Sequence, residues 1–151
     1  MYQLKRQQFI PTDLETCWDF FSSPKNLKVI TPPYMGFDVL TELPEKMYEG
    51  LMIEYTVSPL LGLKMNWVTE IKTVKKGQFF VDEQRQGPYK MWHHEHHFEV
   101  VEGGILMTDI VSYILPFGVL GKLAHPLLVK NKLEEIFAFR FKKVEELFPV
   151  N

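Results

Sequence analysis

The sequence predicts an α+β fold, in which a curved antiparallel sheet of six to seven strands wraps on a long C-terminal helix and two short helices follow the first strand. Three observations lead there. Residues 37–115 alternate apolar and polar side chains with period two, and glycine-containing turns interrupt them. From Leu120 onward the apolar residues recur at steps of three and four instead. Between the first strand and the alternating region stand two helix-start signals, Thr12-x-x-Glu15 and Ser23-Pro24.

Taken in order, residues 2–10 read as a strand with Tyr2, Leu4 and Phe9 apolar among polar neighbours, and Pro11 ends it. Thr12 and Glu15 form a capping box for a helix that runs to about Phe21 and buries Leu14, Trp18 and Phe21. Pro24 suits the first turn of a second helix, and Thr31-Pro32-Pro33 stops it. Phe37, Val39 and Leu43 mark a short strand, and Ile53, Tyr55 and Val57 the next. Leu63, Met65, Trp67, Thr69 and Ile71 face away from Lys64, Asn66, Glu70 and Lys72, as in a half-buried strand. Lys76-Gly77 turns the chain into strand 79–86, Gly87-Pro88 turns it into a histidine-rich strand, and Glu102-Gly103-Gly104 turns it into strand 105–115. After Pro116-Phe117-Gly118 one long helix is expected, carrying Leu120, Leu123/Ala124, Leu127/Leu128, Ile136/Phe137, Phe141, Val144 and Leu147/Phe148 on its apolar side. Pro126 should kink that helix or delay its beginning. Such a helix is the element large enough to cover the concave face of the sheet.

Composition limits the function classes. The 151 residues show no repeat or linker and are expected to form one domain over 1–151, with about two thirds of the unfolded surface buried. A formal net charge of −2 gives no electrostatic reason to expect nucleic acid or an anionic membrane as partner. The N-terminus MYQLKRQQFI has no signal-peptide core, and no window approaches the ~18 apolar residues of a membrane span. A soluble, cytoplasmic chain without stable membrane insertion is expected, as a monomer or weak homodimer. The single cysteine, Cys17, excludes an internal disulfide and a cysteine-based zinc cage, and it reads as a buried small side chain. Twelve Phe, six Tyr and three Trp are enough to line a cavity or to fill an aromatic-rich core.

The histidine strand carries most of the candidate chemistry. WHHEHHF (92–98) holds four of the five histidines. Alternation puts Trp92, His94, His96 and Phe98 on one face and His93, Glu95, His97 and Glu99 on the other. The second set belongs in solvent, and the first must face the interior. A two-residue turn at Glu102-Gly103 sets Phe98 opposite Met107, His96 opposite Asp109, His94 opposite Val111 and Trp92 opposite Tyr113. An acid facing an imidazole on an apolar face is what a buried carboxylate needs, so Asp109 and His96 are expected to form an interior pair that His94 can join. The group suits orientation of a ligand's polar end, acid–base chemistry, or plain structural satisfaction. His94-x-His96 also has a metal-ligand spacing, but no third ligand is evident unless Asp109 serves, and no metal is assigned.

The run GPYKMWHHEHHFE (87–99), continued by MTDIVSYILPFGVLGKLAH (107–125) and VKNKLEEIFAFR (129–140), with FVDEQ (80–84) and PYMGF (33–37) upstream, resembles the START-like or SRPBCC superfamily. This superfamily of helix-grip, Bet v 1-like folds includes the major birch-pollen allergen, lipid-transfer START domains and polyketide cyclases. More specifically the chain is similar to bacterial SRPBCC ligand-binding proteins, a group also found fused to nucleotide-sugar epimerase-like domains; no such appended domain is expected within these residues. Carried over onto this sequence, the resemblance points at Asp82, Gln84, Gly87, Pro88, Trp92, His94, His96, Phe98, Asp109, Tyr113, Pro116, Gly118 and Gly121. It implies a cavity between sheet and C-terminal helix that binds a hydrophobic or aromatic small molecule, and it requires no cofactor. Candidate ligand-binding residues are Tyr55, Trp67, Trp92, His94, His96, Asp109, Tyr113, Phe117, Leu120 and Ala124, each aromatic being equally suited to ordinary core packing. Whether Asp82 and Gln84 face the cavity is open at this level. Motion of residues 116–121 would gate entry. The alternatives are a cyclase-, dehydratase- or hydrolase-like enzyme with His96 as base oriented by Asp109, and a protein-interaction module that docks a partner on a sheet edge or helix.

Overall fold

A computed structural model describes residues 1–58, 62–124 and 128–150. β1 (Tyr2–Ile10) leads into α1 (Leu14–Phe21) and two 3-10 turns, Pro24–Lys28 and Pro33–Met35. Then come β2 (Asp38–Val39), β3 (Met52–Val57), β4 (Met65–Lys75), β5 (Phe79–Gln86), β6 (Met91–Val101) and β7 (Gly104–Ile114), followed by α2 (Gly118–Ala124) and α3 (Lys130–Leu147). The strands form one seven-stranded antiparallel sheet in the order β1-β7-β6-β5-β4-β3-β2, so the first strand pairs with the last. The sheet is curved. Register shifts between β4 and β5, at Val68/Thr69 and Ile71/Thr73, are the kind of bulge that bends a sheet.

The turns expected from glycine hold. Gly77 and Gly103 both have positive φ, +73° and +80°, which their hairpins require. The Glu102-Gly103 turn produces the expected register, with Phe98 opposite Met107, His96 opposite Asp109, His94 opposite Val111 and Trp92 opposite Tyr113. α3 buries Leu133, Phe137, Arg140 and Val144. Leu133 and Phe137 join a core that contains Tyr55, Trp67 and Tyr113. Val144 packs in a second core with Ile10, Trp18, Phe21 and Phe98 around α1.

Several local expectations change. The N-cap of α1 is Asp13 rather than Thr12: its carboxylate accepts from the Thr16 backbone N–H at 2.8 Å and from the Thr16 hydroxyl at 2.7 Å. A carboxylate reaches the first-turn amide as well as a threonine does, and it adds charge at the positive end of the helix. Trp18 and Phe21 are buried as expected, whereas Leu14 is only half-buried. Phe9 is 46 % exposed, because Leu4 and Ile10 set the inward phase of β1. Leu43 and Leu63 lie outside the strands.

The C-terminal helical region is described as α2 and the long α3, with residues 125–127 outside the described residues. The buried stripe of α3 is 133, 137, 140 and 144, and Phe141 and Leu147 are exposed. The kink expected at Pro126 and the contact expected of Leu127 lie outside the described residues. Among the described residues no helix is long and apolar enough to cross a membrane.

Candidate functional site

The site is built where three neighbouring strands bring alternate residues to the same face. Pairing sets Asp82 opposite His94 and Phe80 opposite His96 across β5–β6, then His94 opposite Val111 and His96 opposite Asp109 across β6–β7. The polar bonds run diagonally. His94 donates from Nε2 to Asp109 Oδ1 at 2.9 Å. His96 donates from Nε2 to Asp82 Oδ2 at 2.8 Å. Nδ1 of His96 lies 3.1 Å from Asp109 Oδ1, and Nδ1 of His94 lies 3.7 Å from Asp82 Oδ2. The two imidazoles stand 3.8 Å apart, and Phe80 stacks on His96 at 4.1 Å.

From above, α3 presses Arg140 onto the group, with Nη2 3.2 Å from Asp109 Oδ1. Its guanidinium also lies over the rings of Phe21 and Phe137.

Electrostatics separate the two histidines. Burial pushes His94 down, and the neighbouring His96 adds to that, so its ring is neutral. Burial pushes His96 down as well, but the hydrogen bonds to Asp109 and Asp82 outweigh it and raise its pKa. Burial opposes ionisation of Asp109, yet Arg140 and the two imidazoles hold its carboxyl well below the usual range. Asp82 is lowered too, since its bond from His96 and the nearby positive charges overcome burial. The group gathers two carboxylates and a guanidinium around two imidazoles, of which His96 is the one favoured to hold a proton. Opposite charges in direct contact are what make such a cluster tolerable in an apolar interior.

This cluster forms one end of a cavity of about 190 Å³ between the sheet and α3. The walls are otherwise mainly apolar and aromatic, with Phe37, Tyr55, Trp67, Tyr89 and Trp92 joined by Leu133 and Phe137 from α3, and Ser23, Asn26, Thr31 and Thr69 add neutral polar groups. Tyr55 hydrogen-bonds Thr69 at 3.2 Å, and burial pushes its hydroxyl pKa up, so the phenol stays neutral. Trp67 is buried, and among the described residues its indole N–H has no hydrogen-bond partner.

The sequence candidates sort plainly against this geometry. Tyr55, Trp67, Trp92, His94 and His96 line the cavity, as does Asp82. Asp109 stands behind the histidines, bordering a small cleft with Arg6, Gln7 and Gln8. Tyr113 packs in the core against Tyr2, Tyr89 and Trp92. Phe117 and Leu120 are 81 % and 72 % exposed and do not reach the walls. Phe117 precedes α2 with a φ of +65°, and Leu120 stands on α2 beside Val119 and Leu123, which are exposed as well. Ala124 is the last residue of α2, and its side chain lies outside the described residues. Gln84 turns to the 87–90 turn, donating to Tyr89 O at 2.7 Å and accepting from Tyr89 N–H at 3.2 Å. The outer face behaves as expected, with His93 paired to Glu83 and His97 to Glu95 in half-exposed positions.

Among solved structures, a Chromobacterium violaceum protein superposes over 99 % of this chain and 98 % of its own, with a TM-score of 0.72 and 13 % identity. A major latex-like protein of Panax ginseng superposes over the same shares, with a TM-score of 0.68 and 14 % identity. The chain has the helix-grip fold. A third helix-grip match lies within the nucleoside-diphosphate sugar epimerase of Corynebacterium glutamicum, 27 % identical with a TM-score of 0.65, and covers 95 % of this chain but 28 % of that one. No family model matches the sequence, and the comparison with curated proteins found no match.

Two members of the cluster, Arg140 and Asp82, lie outside the pair that the alternation of the histidine strand and its facing strand identifies. Arg140 lies three residues after Phe137 and four before Val144, so a cation on a buried helical stripe was the readable sign of a buried counter-charge. Asp82 shares the phase of Phe80 along β5, an alternation that aims it inward.

Proposed function

We propose that the chain binds a small hydrophobic or aromatic molecule in the cavity between sheet and α3. The observation that carries the reading is the composition of the walls: mostly aromatic and aliphatic, with a charged cluster of Asp82, His94, His96 and Arg140 and a few neutral polar groups, Ser23, Asn26, Thr31 and Thr69. Such a site takes its affinity from apolar area and its orientation from a few polar groups. The volume of about 190 Å³ sets the size class. A cavity of about 150 Å³ accommodates benzene, so the occupant is a molecule of one or two rings. An acceptor on that molecule would relieve the Trp67 indole N–H, whose burial without a partner costs about 1–3 kcal/mol.

The acid–base alternative has less to work with. Both nitrogens of His96 and Nε2 of His94 are within 3.1 Å of a carboxylate oxygen, so His96 has no free nitrogen to act as base.

Native mass spectrometry of freshly purified protein, before and after denaturing extraction, tests the reading. It is supported by a co-purifying apolar molecule that the Leu27→Trp variant, which narrows the cavity, fails to retain. Repeated absence of any such molecule, together with failure of small aromatic compounds to quench Trp67 and Trp92 fluorescence, would sink it.

A further inference from the structure

We propose that Asp82, His94 and His96 form a binding site for one first-row divalent transition-metal ion, with Asp109 as the carboxylate that orients both rings. This goes beyond the binding reading and does not depend on it, because the donors are all protein atoms and an apolar occupant is not required.

The donor atoms are already gathered. Asp82 Oδ2 is 2.8 Å from Nε2 of His96 and 3.7 Å from Nδ1 of His94, and ligand atoms of the three residues all lie within 4.8 Å of one another. Two donors on one ion at bond lengths of about 2.0–2.2 Å stand about 3.0–3.5 Å apart, so adjustments of about 1 Å complete the set. The far nitrogens, Nε2 of His94 and Nδ1 of His96, lie 2.9 and 3.1 Å from the same oxygen of Asp109. A carboxylate that takes the far N–H of a histidine selects its tautomer and turns the near lone pair toward a metal. Here one carboxylate lies within reach of both rings, and Arg140, 3.2 Å from that carboxylate and 3.5 Å from Nδ1 of His96, neutralises it, leaving Asp82 as the anionic ligand.

Nδ1 of His94 and Oδ2 of Asp82 face each other at 3.7 Å, too far for a direct hydrogen bond. A divalent ion between them bonds to both. It takes the place of the hydrogen between His96 and Asp82, and that proton leaves to solvent. Two imidazoles and one carboxylate suit Zn²⁺, Fe²⁺ or Co²⁺, whereas Ca²⁺ and Mg²⁺ want all-oxygen shells. All three residues line the cavity, so the remaining coordination positions open into it.

Chelator-stripped protein titrated with Co²⁺ and followed by visible d–d absorption, and with Zn²⁺ by calorimetry, tests the proposal. One equivalent per chain is expected. The outer-face variant carrying both His93→Gln and His97→Gln should bind as the parent does, His94→Gln should lose the site, and Asp109→Asn should bind about 10–100-fold more weakly. If His94→Gln does not fold, Asp82→Asn and the parent's own NMR spectrum decide. Bound Co²⁺ must shift the ring protons of His94 and His96 rather than those of His93 and His97. No binding at 100-micromolar metal (~0.1 mM, a concentration at which ligand-linked stabilisation of a real site would be evident), or binding abolished by the outer-face variant, overturns the proposal. Either result leaves probe binding by metal-free protein untouched, so the two readings fail separately.

Discussion

Replacing Arg140 by Met isolates what the ion pair contributes to the fold. Met keeps an unbranched apolar stem beside Phe21 and Phe137, where the guanidinium carbon sits 5.6 and 5.8 Å from the ring centres, so most of the packing survives. What goes is the positive charge 3.2 Å from Asp109 Oδ1, in a pair whose side chains are each 11 % exposed. Removing one partner of a buried pair typically costs about 3–5 kcal/mol, because the other charge is left uncompensated. Asp109 still has His94 at 2.9 Å and His96 at 3.1 Å, so the cost should fall at the lower end, about 3 kcal/mol. For a chain of this size that corresponds to a fall in Tm of about 6–12 °C. Urea unfolding followed by tryptophan fluorescence and circular dichroism measures it, with an unchanged slope as the sign that the denatured state is unaffected. A double-mutant cycle with Asp109→Leu should return a coupling energy above about 1 kcal/mol. A loss under about 1 kcal/mol for Arg140→Met, or a coupling of zero, would refute the account of α3 as held to the sheet through Asp109.

Other outcomes follow from local geometry. Burial pushes the Cys17 thiol up to about 12, so Ellman's reagent at pH 8 should leave it untouched in native protein and react with one equivalent after unfolding. A Cβ at Gly104 would stand 2.3 Å from the Ile10 carbonyl oxygen, so Gly104→Ala must push β1 off β7; a loss of about 1–3 kcal/mol in urea unfolding is expected, and a neutral result would contradict the strand spacing. The Thr16 hydrogen bonds lower Asp13 below its ordinary 3.8, so the cap's contribution is fully present above that pH and is lost as pH falls through the folded value. Asp13→Ser keeps a cap that does not titrate, and the stability difference between the two proteins should shift in favour of the variant between pH 5 and pH 2; a constant difference would mean that Asp13 does not cap α1.

The fold was legible because its signals are local. Gly77 and Gly103 supply the positive φ that tight hairpins need, and the two-residue turn at Glu102-Gly103 sets the β6–β7 pairing residue by residue. Once that register stands, alternation alone puts His94 and His96 inside and His93, Glu95 and His97 outside. The helical region was less legible. A repeat of three- and four-residue steps marks an apolar side but not which part of it meets the sheet. Phe117 and Leu120, both candidates for the cavity, are exposed, whereas Leu133 is buried on its wall.

The sequence by itself determined that one strand would carry two buried imidazoles and that Asp109 would face them. Only the tertiary structure decided what those imidazoles touch. Asp82 reaches His96 through a β5–β6 register that the shifts between β4 and β5 do not disturb, and Arg140 arrives from a helix 31 residues further along the chain than Asp109. The physical reason is range. Turn chemistry and side-chain alternation act over a few residues and can be read in order, whereas the balance of two carboxylates, one guanidinium and two imidazoles depends on elements that meet only when α3 closes over the sheet.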